Sequence, residues 1–132
     1  MQGREIAARA RALVGARFRP QGRTRQQGLD CLGLAALALG VPARVDYRLS
    51  SSELSALERE LRACGLREID AAGAAEGDLL VLSPALGRLH AAILTAGGYV
   101  HADARLRRVV EVPGPVPWPV RSAWRKCEEE ID

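Results

Sequence analysis

The segment Gly28-Leu29-Asp30-Cys31-Leu32-Gly33-Leu34 decides how the rest of the chain is interpreted. Residues 32–39 are apolar on every face, and a helix of that kind belongs in the centre of a domain. Asp30 is a favoured residue for the N-cap of such a helix, because its carboxylate can accept from first-turn N–H groups. Gly40 and Pro42 are expected to end the helix. The sequence therefore predicts a buried helix that begins at a cysteine.

Two interpretations of Cys31 are open at this point. At the first turn of a helix the thiol lies in the positive end of the helix dipole, which lowers its pKa and favours the nucleophilic thiolate. Free cysteine is also among the most buried residue types, so Cys31 can equally be a small apolar side chain in the core. Taken alone, the segment favours the structural interpretation somewhat.

The composition is typical of a globular protein. The chain has 132 residues, 48% of them hydrophobic, which predicts one domain covering residues 1–132. No apolar run is long enough to span a bilayer, and the charged N-terminus does not resemble a signal peptide, so synthesis in the cytoplasm is expected. Cys31, Cys64 and Cys127 form no framework spacing, and reduced thiols are expected.

The charge is mildly positive. The formal net charge is +3, and Lys126 is the single lysine, a bias more typical of genome composition than of nucleic-acid binding. Basic residues cluster between Arg17 and Arg25, with Phe18 as the one aromatic residue among them. A nucleic-acid surface requires more basic residues on one face and stacking aromatics, so no nucleic-acid partner is expected. The cluster could still contact a small acidic substrate.

Periodicity divides the chain into a helical half and a strand half. Helices are predicted over residues 4–14, 32–39 and 53–63, with connections over residues 15–28 and 41–51. The stripe of the first helix is Ile6, Ala10, Leu13 and Val14, and Ser51 or Ser52 is expected to cap the third helix. Strands are predicted over residues 78–83, 90–95, 98–103 and 107–112, followed by a proline-rich connection over 113–119, a last strand over 120–127 and a frayed acidic end over 128–132. Helices first and strands afterwards predict an α+β domain, with the helices packed on one face of an antiparallel sheet.

The two histidines, His90 and His101, both fall in the strand half. A turn at residues 96–97 would pair Thr95 with Gly98 and place His101 diagonal to His90 on one face, about 7–8 Å apart. A turn at residues 97–98 keeps them on the same face but further apart. On the face that meets the buried helix, both would also meet Cys31.

A cysteine peptidase needs such an arrangement. The thiolate attacks a carbonyl, one histidine holds and returns the proton, a third polar group orients that histidine, and a helix-start N–H can bind the oxyanion. The alternatives are histidines that only make structural hydrogen bonds, and a zinc site built from Cys31, His90, His101 and Asp103. The zinc site lacks any close pair of ligands, so no metal or cofactor is expected.

Several motifs together resemble the NlpC-type family of cell-wall cysteine peptidases. They are Gly15–Leu34 with its Leu-Asp-Cys-Leu-Gly-Leu, Gly77-Asp78-Leu79-Leu80, His90-Ala91-Ala92-Ile93 and Tyr99-Val100-His101-Ala102. The order and spacing are those of the family. Asp-Cys-Leu-Gly, where secreted members carry Asp-Cys-Ser-Gly, is similar to the phage-tail and gene-transfer-agent branch.

The resemblance implies a fold, an activity and roles. The fold is papain-like, with the cysteine helix packed on an antiparallel sheet that carries the histidine. Cys31 would be the nucleophile, His90 the general base and acid, and His101 the orienting residue. The implied substrate is the peptide stem of peptidoglycan, cut after D-glutamate, and other phage-tail proteins are implied partners in a virion or tail-like particle.

Two departures concern the substrate end of the site, which is expected to include Phe18, Asp30 and Leu32. Many members have tyrosine where Phe18 stands and serine where Leu32 stands, so two polar contacts are lost. Arg19 and Arg23 are candidates for binding the free carboxylate of a D-glutamate stem, because guanidinium binds carboxylates in a bidentate fork. A catalytically silent tail-assembly protein, or a thiol amidase or transferase on the same fold, remains an alternative.

Overall fold

A computed structural model of the chain describes residues 2–42 and 50–127. Within that part, three α-helices pack with a six-stranded antiparallel sheet, which confirms the predicted α+β class. Most of the predicted connection over residues 41–51 and the predicted frayed end over residues 128–132 lie outside the described residues.

The elements follow one another in an order close to the predicted one. The helices are α1 (Gln2–Ala12), α2 (Cys31–Leu39) and α3 (Leu54–Ala63). The strands are β1 (Arg23–Thr24), β2 (Gly28–Leu29), β3 (Leu66–Ile69), β4 (Leu79–Leu82), β5 (His90–Leu94), β6 (Gly98–Asp103), β7 (Arg108–Pro113) and β8 (Val120–Lys126).

The large sheet has the order β3-β8-β4-β5-β6-β7. Strands β4 to β7 form the predicted meander, and β8 returns across the sheet to pair with β4. Strand β3 was missed by the sequence analysis, because its Leu-Arg-Glu-Ile pattern has only Leu66 fully buried. It gains its place by pairing with β8 along the outer edge of the sheet.

Helix α2 lies where its composition predicts, against α1 and the strands β5 and β6. The Asp30 side chain accepts from the Gly33 N–H as N-cap, and Gly40 ends the helix in the left-handed conformation with φ of 71°. Leu37 is the exception to the expected burial, since it is 40% exposed. A Cβ on Gly33 would overlap the Gly22 carbonyl, so glycine is needed for α2 to approach the preceding loop.

Three local predictions are wrong. Helix α1 ends at Ala12, and Val14 of the expected apolar stripe is 39% exposed. Helix α3 is not capped by a serine, because a 3-10 turn over Ser51–Glu53 leads into it and Glu53 makes no side-chain cap. The segment 15–28 is not wholly irregular, since it carries the small β1–β2 ladder.

The core lies on both faces of the sheet. The larger cluster joins α2 to the inner face, and it includes Leu34, Leu39, Ile93 and Trp124. A smaller cluster on the other face has half-buried Trp118 packed against it. Throughout residues 2–42 and 50–127, no helix combines the length and the apolar character that crossing a membrane requires.

Candidate active site

A cavity of about 650 Å³ lies where the start of α2 meets β5 and β6. It brings together the three residues predicted to be catalytic, Cys31, His90 and His101. Its other lining residues are Phe18, Pro20, Gln21, Asp30, Pro84, Arg88, Leu89, Ala102, Asp103, Ala104, Arg105 and Trp118. The volume suits a small peptide rather than a folded protein segment.

The β5–β6 hairpin has the first of the two registers considered. Ile93 pairs with Val100, and the Thr95 N–H donates to the Gly98 carbonyl, so the turn lies at residues 96–97. The side chains of His90 and His101 consequently meet, with 2.9 Å between His90 Nε2 and His101 Nδ1. The diagonal contact expected from the turn is therefore confirmed. The expected face is wrong, because the pair lies on the sheet face of Tyr99 and Trp118 and not on the face that packs against α2.

Burial shapes the acidity of this imidazole pair. It lowers the pKa of His90 to about 4, with repulsion from His101 as a second cause, while Asp103 acts in the opposite direction. Burial likewise lowers the pKa of His101, again opposed by Asp103. Both rings are neutral near pH 7, so His90 is in the state that can accept a proton.

The thiol differs from the expectation. Burial, followed by the Asp30 carboxylate, raises the pKa of Cys31 to about 12. The amides of Ala91 and Cys31 and the Arg23 guanidinium favour the thiolate, but they do not outweigh these two causes. The prediction of a lowered thiol pKa is wrong, because the helix start lies inside the domain, where Cys31 is 3% exposed. The resting pair is a neutral thiol and a neutral imidazole.

Asp30 serves the local structure, although it also lines the cavity. Its Oδ1 accepts from the Gly33 N–H and from the Arg23 guanidinium, both at 2.8 Å. Its Oδ2 accepts from the Gln21 N–H at 2.8 Å. The carboxylate thereby ties the preceding loop to the start of α2 and fixes the position of Cys31.

Of the remaining residues predicted at the substrate end, only some line the Cys31 cavity. Phe18 lines the cavity, and its ring offers no hydroxyl to a substrate. Leu32 faces a different, apolar cavity beside α3. Arg19 and Arg23 are not among the described residues that line the Cys31 cavity, so their role in substrate binding stays a prediction. The arginines that do line it are Arg88 and Arg105.

Trp118 is a further residue that the sequence analysis missed. Its ring stacks edge-on against His90 and His101, with 5.4 Å between ring centroids in each case. The signal was a single tryptophan within the proline-rich segment 113–119, a stiff stretch that can hold a large side chain over a site. Trp118 therefore packs against both imidazoles within the same cavity.

The zinc site considered from the sequence would need Cys31, His90, His101 and Asp103 grouped around one ion. In the parts of the chain that the structure describes, no three side chains of histidine, cysteine, aspartate or glutamate are grouped to hold an ion. Asp103, which had been considered as a fourth zinc ligand, lies beside His101 with 3.9 Å between Oδ2 and Nε2. His90, His101 and Asp103 follow one another in one series, and Cys31 lines the same cavity.

Comparison with protein-family models and with curated proteins finds no match for this sequence. Solved structures do match. The NlpC/p60 domain of the peptidoglycan hydrolase SagA is 24% identical with a TM-score of 0.60, over 84% of this chain and 88% of that domain. The peptidoglycan hydrolase RipB from Mycobacterium tuberculosis is 19% identical with a TM-score of 0.63, over 97% of this chain and 66% of its own length.

A third solved structure, NlpC1 from Trichomonas vaginalis, is 21% identical with a TM-score of 0.65. The match covers 94% of this chain but 45% of that protein, so the chain spans about half its length. Identities at this level establish the architecture alone. The fold of this chain is accordingly the NlpC/p60 fold, and its cavity holds Cys31 beside a pair of contacting histidines.

Proposed function

We propose that the protein is a cysteine peptidase that hydrolyses amide bonds in the peptide stem of peptidoglycan, between D-glutamate and the diamino acid that follows it. The observation that carries the proposal is the 2.9 Å contact between His90 and His101 in the cavity that also holds Cys31. A structural role alone would not require a buried thiol and two mutually bonded imidazoles at one cavity.

The chemistry follows from the protonation states. Cys31 Sγ attacks the carbonyl carbon while His90 takes the thiol proton, which a neutral imidazole can accept. In this proposal the Cys31 N–H at the start of α2 binds the developing oxyanion. The imidazolium then protonates the leaving amine, and a thioester remains on Cys31. Water, activated by His90, attacks the thioester and releases the acid and the free thiol.

The substrate class is supported by two observations of unequal strength. SagA and RipB, which share the fold, are peptidoglycan hydrolases. Arg88 and Arg105 are among the residues that line the cavity, and their positive charge suits a stem peptide whose D-glutamate keeps a free carboxylate. The choice of the D-glutamyl bond rests on the sequence resemblance.

Digestion of purified peptidoglycan, with mass analysis of the released fragments, tests the proposal. We expect soluble stem fragments that end in D-glutamate, with a new amino terminus on the diamino acid. Release of intact stems would instead indicate an amidase, and peptide exchange without net hydrolysis would indicate a transferase. No release from peptidoglycans of several stem chemistries would favour the silent assembly protein.

We also propose that the protein is a component of a phage-tail-like particle, with other tail proteins as its partners. This proposal rests on the Asp-Cys-Leu-Gly motif over residues 30–33. Mass spectrometry of particles purified from the source cells provides the test. Enrichment of the chain with tail proteins would support it, whereas absence from intact particles would contradict it.

The pH dependence of kcat/KM is the first testable prediction. Because burial lowers the pKa of His90 to about 4, this residue stays neutral in mildly acidic solution. We expect kcat/KM to remain flat from pH 7 to about pH 5 and to fall about tenfold per unit below about pH 4. If the imidazole had its ordinary pKa of about 6.5, kcat/KM would already be about tenfold lower at pH 5.5.

The acid side of this profile needs a stability control. A histidine whose folded pKa lies below its unfolded pKa binds its proton more tightly when unfolded, so stability falls as the pH drops from about 6.5 towards 4. Circular dichroism at each pH separates unfolding from protonation of His90. A fall in kcat/KM near pH 6.5 in fully folded protein would contradict the neutral imidazole pair.

Substitution of the cavity arginines is the second prediction. Arg88→Ala or Arg105→Ala should raise KM for an acidic stem tetrapeptide about tenfold with little change in kcat, because a bound carboxylate is held in both ground and transition states. Arg19→Ala is the matched control, since Arg19 does not line the cavity. A loss confined to Arg19→Ala would favour the arginines predicted from the sequence instead.

A further inference from the structure

The His101 ring uses its two nitrogens on opposite sides. Nδ1 lies 2.9 Å from His90 Nε2, and Nε2 lies 3.9 Å from Asp103 Oδ2. Tyr99 and Trp118 contact the ring as aromatic neighbours. Each ring nitrogen therefore faces one polar side chain, His90 at Nδ1 and Asp103 at Nε2.

Asp103 is held firmly in this position. Its Oδ1 accepts from the N–H groups of Arg105 and Leu106, at 2.8 and 3.0 Å, which leaves Oδ2 directed at His101. Partial burial acts to raise the pKa of Asp103, but these two amides, His101 and the Arg105 guanidinium together hold it below its usual range. The group facing His101 Nε2 is thus a carboxylate, which accepts and cannot donate.

We propose that Asp103 is a positioning residue that selects the Nε2–H tautomer of His101. With the proton on Nε2, His101 Nδ1 can only accept, so His90 Nε2 must carry the N–H that it donates. His90 Nδ1 is then left with a free lone pair, which is the atom that can take the thiol proton of Cys31. The 3.9 Å distance between Nε2 and Oδ2 is longer than a direct hydrogen bond. The carboxylate therefore acts on the N–H dipole through its negative charge.

The catalytic consequence rests on the proposed function, but the tautomers do not. The chain has two histidines, so long-range ¹H–¹⁵N spectra of the labelled protein resolve both rings. We expect both to be Nε2–H tautomers at pH 7. This measurement needs no substrate, so it stands or fails independently of peptidoglycan hydrolysis.

Asp103→Asn gives the sharpest test. The amide oxygen of the substituted side chain can keep the two backbone contacts, while its NH₂ group faces His101 Nε2 as a donor and demands the Nδ1–H tautomer. His90 Nε2 must then accept, which moves the His90 proton to Nδ1 and blocks the base. We expect both rings to change tautomer and kcat to fall about 10²-fold or more, with KM little changed, as for a histidine held in the wrong tautomer.

Asp103→Ala and Glu111→Gln complete the comparison. Asp103→Ala removes the carboxylate without adding a donor, so we expect mixed tautomers and a fall in kcat of only about tenfold. Glu111→Gln removes a negative charge from the neighbouring strand β7, and we expect it to change neither the histidine tautomers nor kcat. If Asp103 only stabilised the turn, Asp103→Ala would lower kcat more than Asp103→Asn, because asparagine preserves the turn better than alanine. Unchanged His101 tautomers in Asp103→Asn, or an Nδ1–H tautomer in the parent, would overturn the proposal.

Discussion

Cys31→Ala should abolish the release of stem fragments, lowering kcat by at least about 10³-fold. No other described thiol lines the cavity: Cys64 is only partly buried beside α3, and Cys127 is exposed. Removal of the nucleophile leaves oxyanion binding and substrate orientation, which cannot form the thioester. Fragment release from peptidoglycan, measured by mass spectrometry at several enzyme concentrations, provides the rate.

Cys127→Ala is the matched control, since it removes a thiol outside the site. It should keep the parent rate, and both variants should keep the parent melting temperature within a few degrees, because Sγ is the only atom removed. Parent-like activity in Cys31→Ala would refute the assignment of the nucleophile. Equal losses in both variants would point to a defect in folding.

The parts of the site that could be predicted from the sequence depend on short-range signals. Asp30 caps the start of α2 at Cys31, and Gly40 caps its end. Each cap acts within one helical turn, so the neighbouring residues in the chain are enough to predict it. Strand alternation puts His90 and His101 on one face for either of the two turns considered, and the structure selects the turn at residues 96–97. Both inferences needed no knowledge of the rest of the chain.

The acidity of the thiol could not be predicted in this way. The dipole at a helix start is a local property and favours the thiolate. Burial is a tertiary property, and at Cys31 it is the largest cause of a shift in the opposite direction. The sequence predicts a central helix, but the expectation of a lowered pKa considered the dipole of that helix and not the burial of its first residue.

The lining of the cavity was also beyond the sequence. Arg88 and Trp118 come from the segments before β5 and before β8, and Arg105 from the turn between β6 and β7. Arg88 and Arg105 meet through the pairing of β5 with β6, and Trp118 joins them because β8 crosses back to pair with β4. Arg23, in contrast, lies near Cys31 in sequence but is drawn to Asp30, which it contacts at 2.8 Å.

His90→Ala should be nearly as damaging as loss of the nucleophile, lowering kcat by about 10³-fold or more. With the pKa of Cys31 raised to about 12, almost no thiolate exists near neutral pH unless a base removes the proton. His90 is the base assigned by the proposed function, and its Nε2 is already in contact with His101 Nδ1. Initial rates on a stem tetrapeptide across pH 6 to 9 provide the measurement.

His101→Ala should be less damaging, with a fall in kcat of about 10- to 100-fold, because an orienting group costs less than the base itself. His101→Gln and His101→Asn should recover part of that loss, since each amide still offers an acceptor to the His90 N–H. The rate of His90→Ala should also rise with pH more steeply than that of the parent, as hydroxide generates the missing thiolate. Parent-like rates in every His101 variant would mean that the 2.9 Å contact orients nothing in catalysis, and the ring would then be only a packed residue of β6.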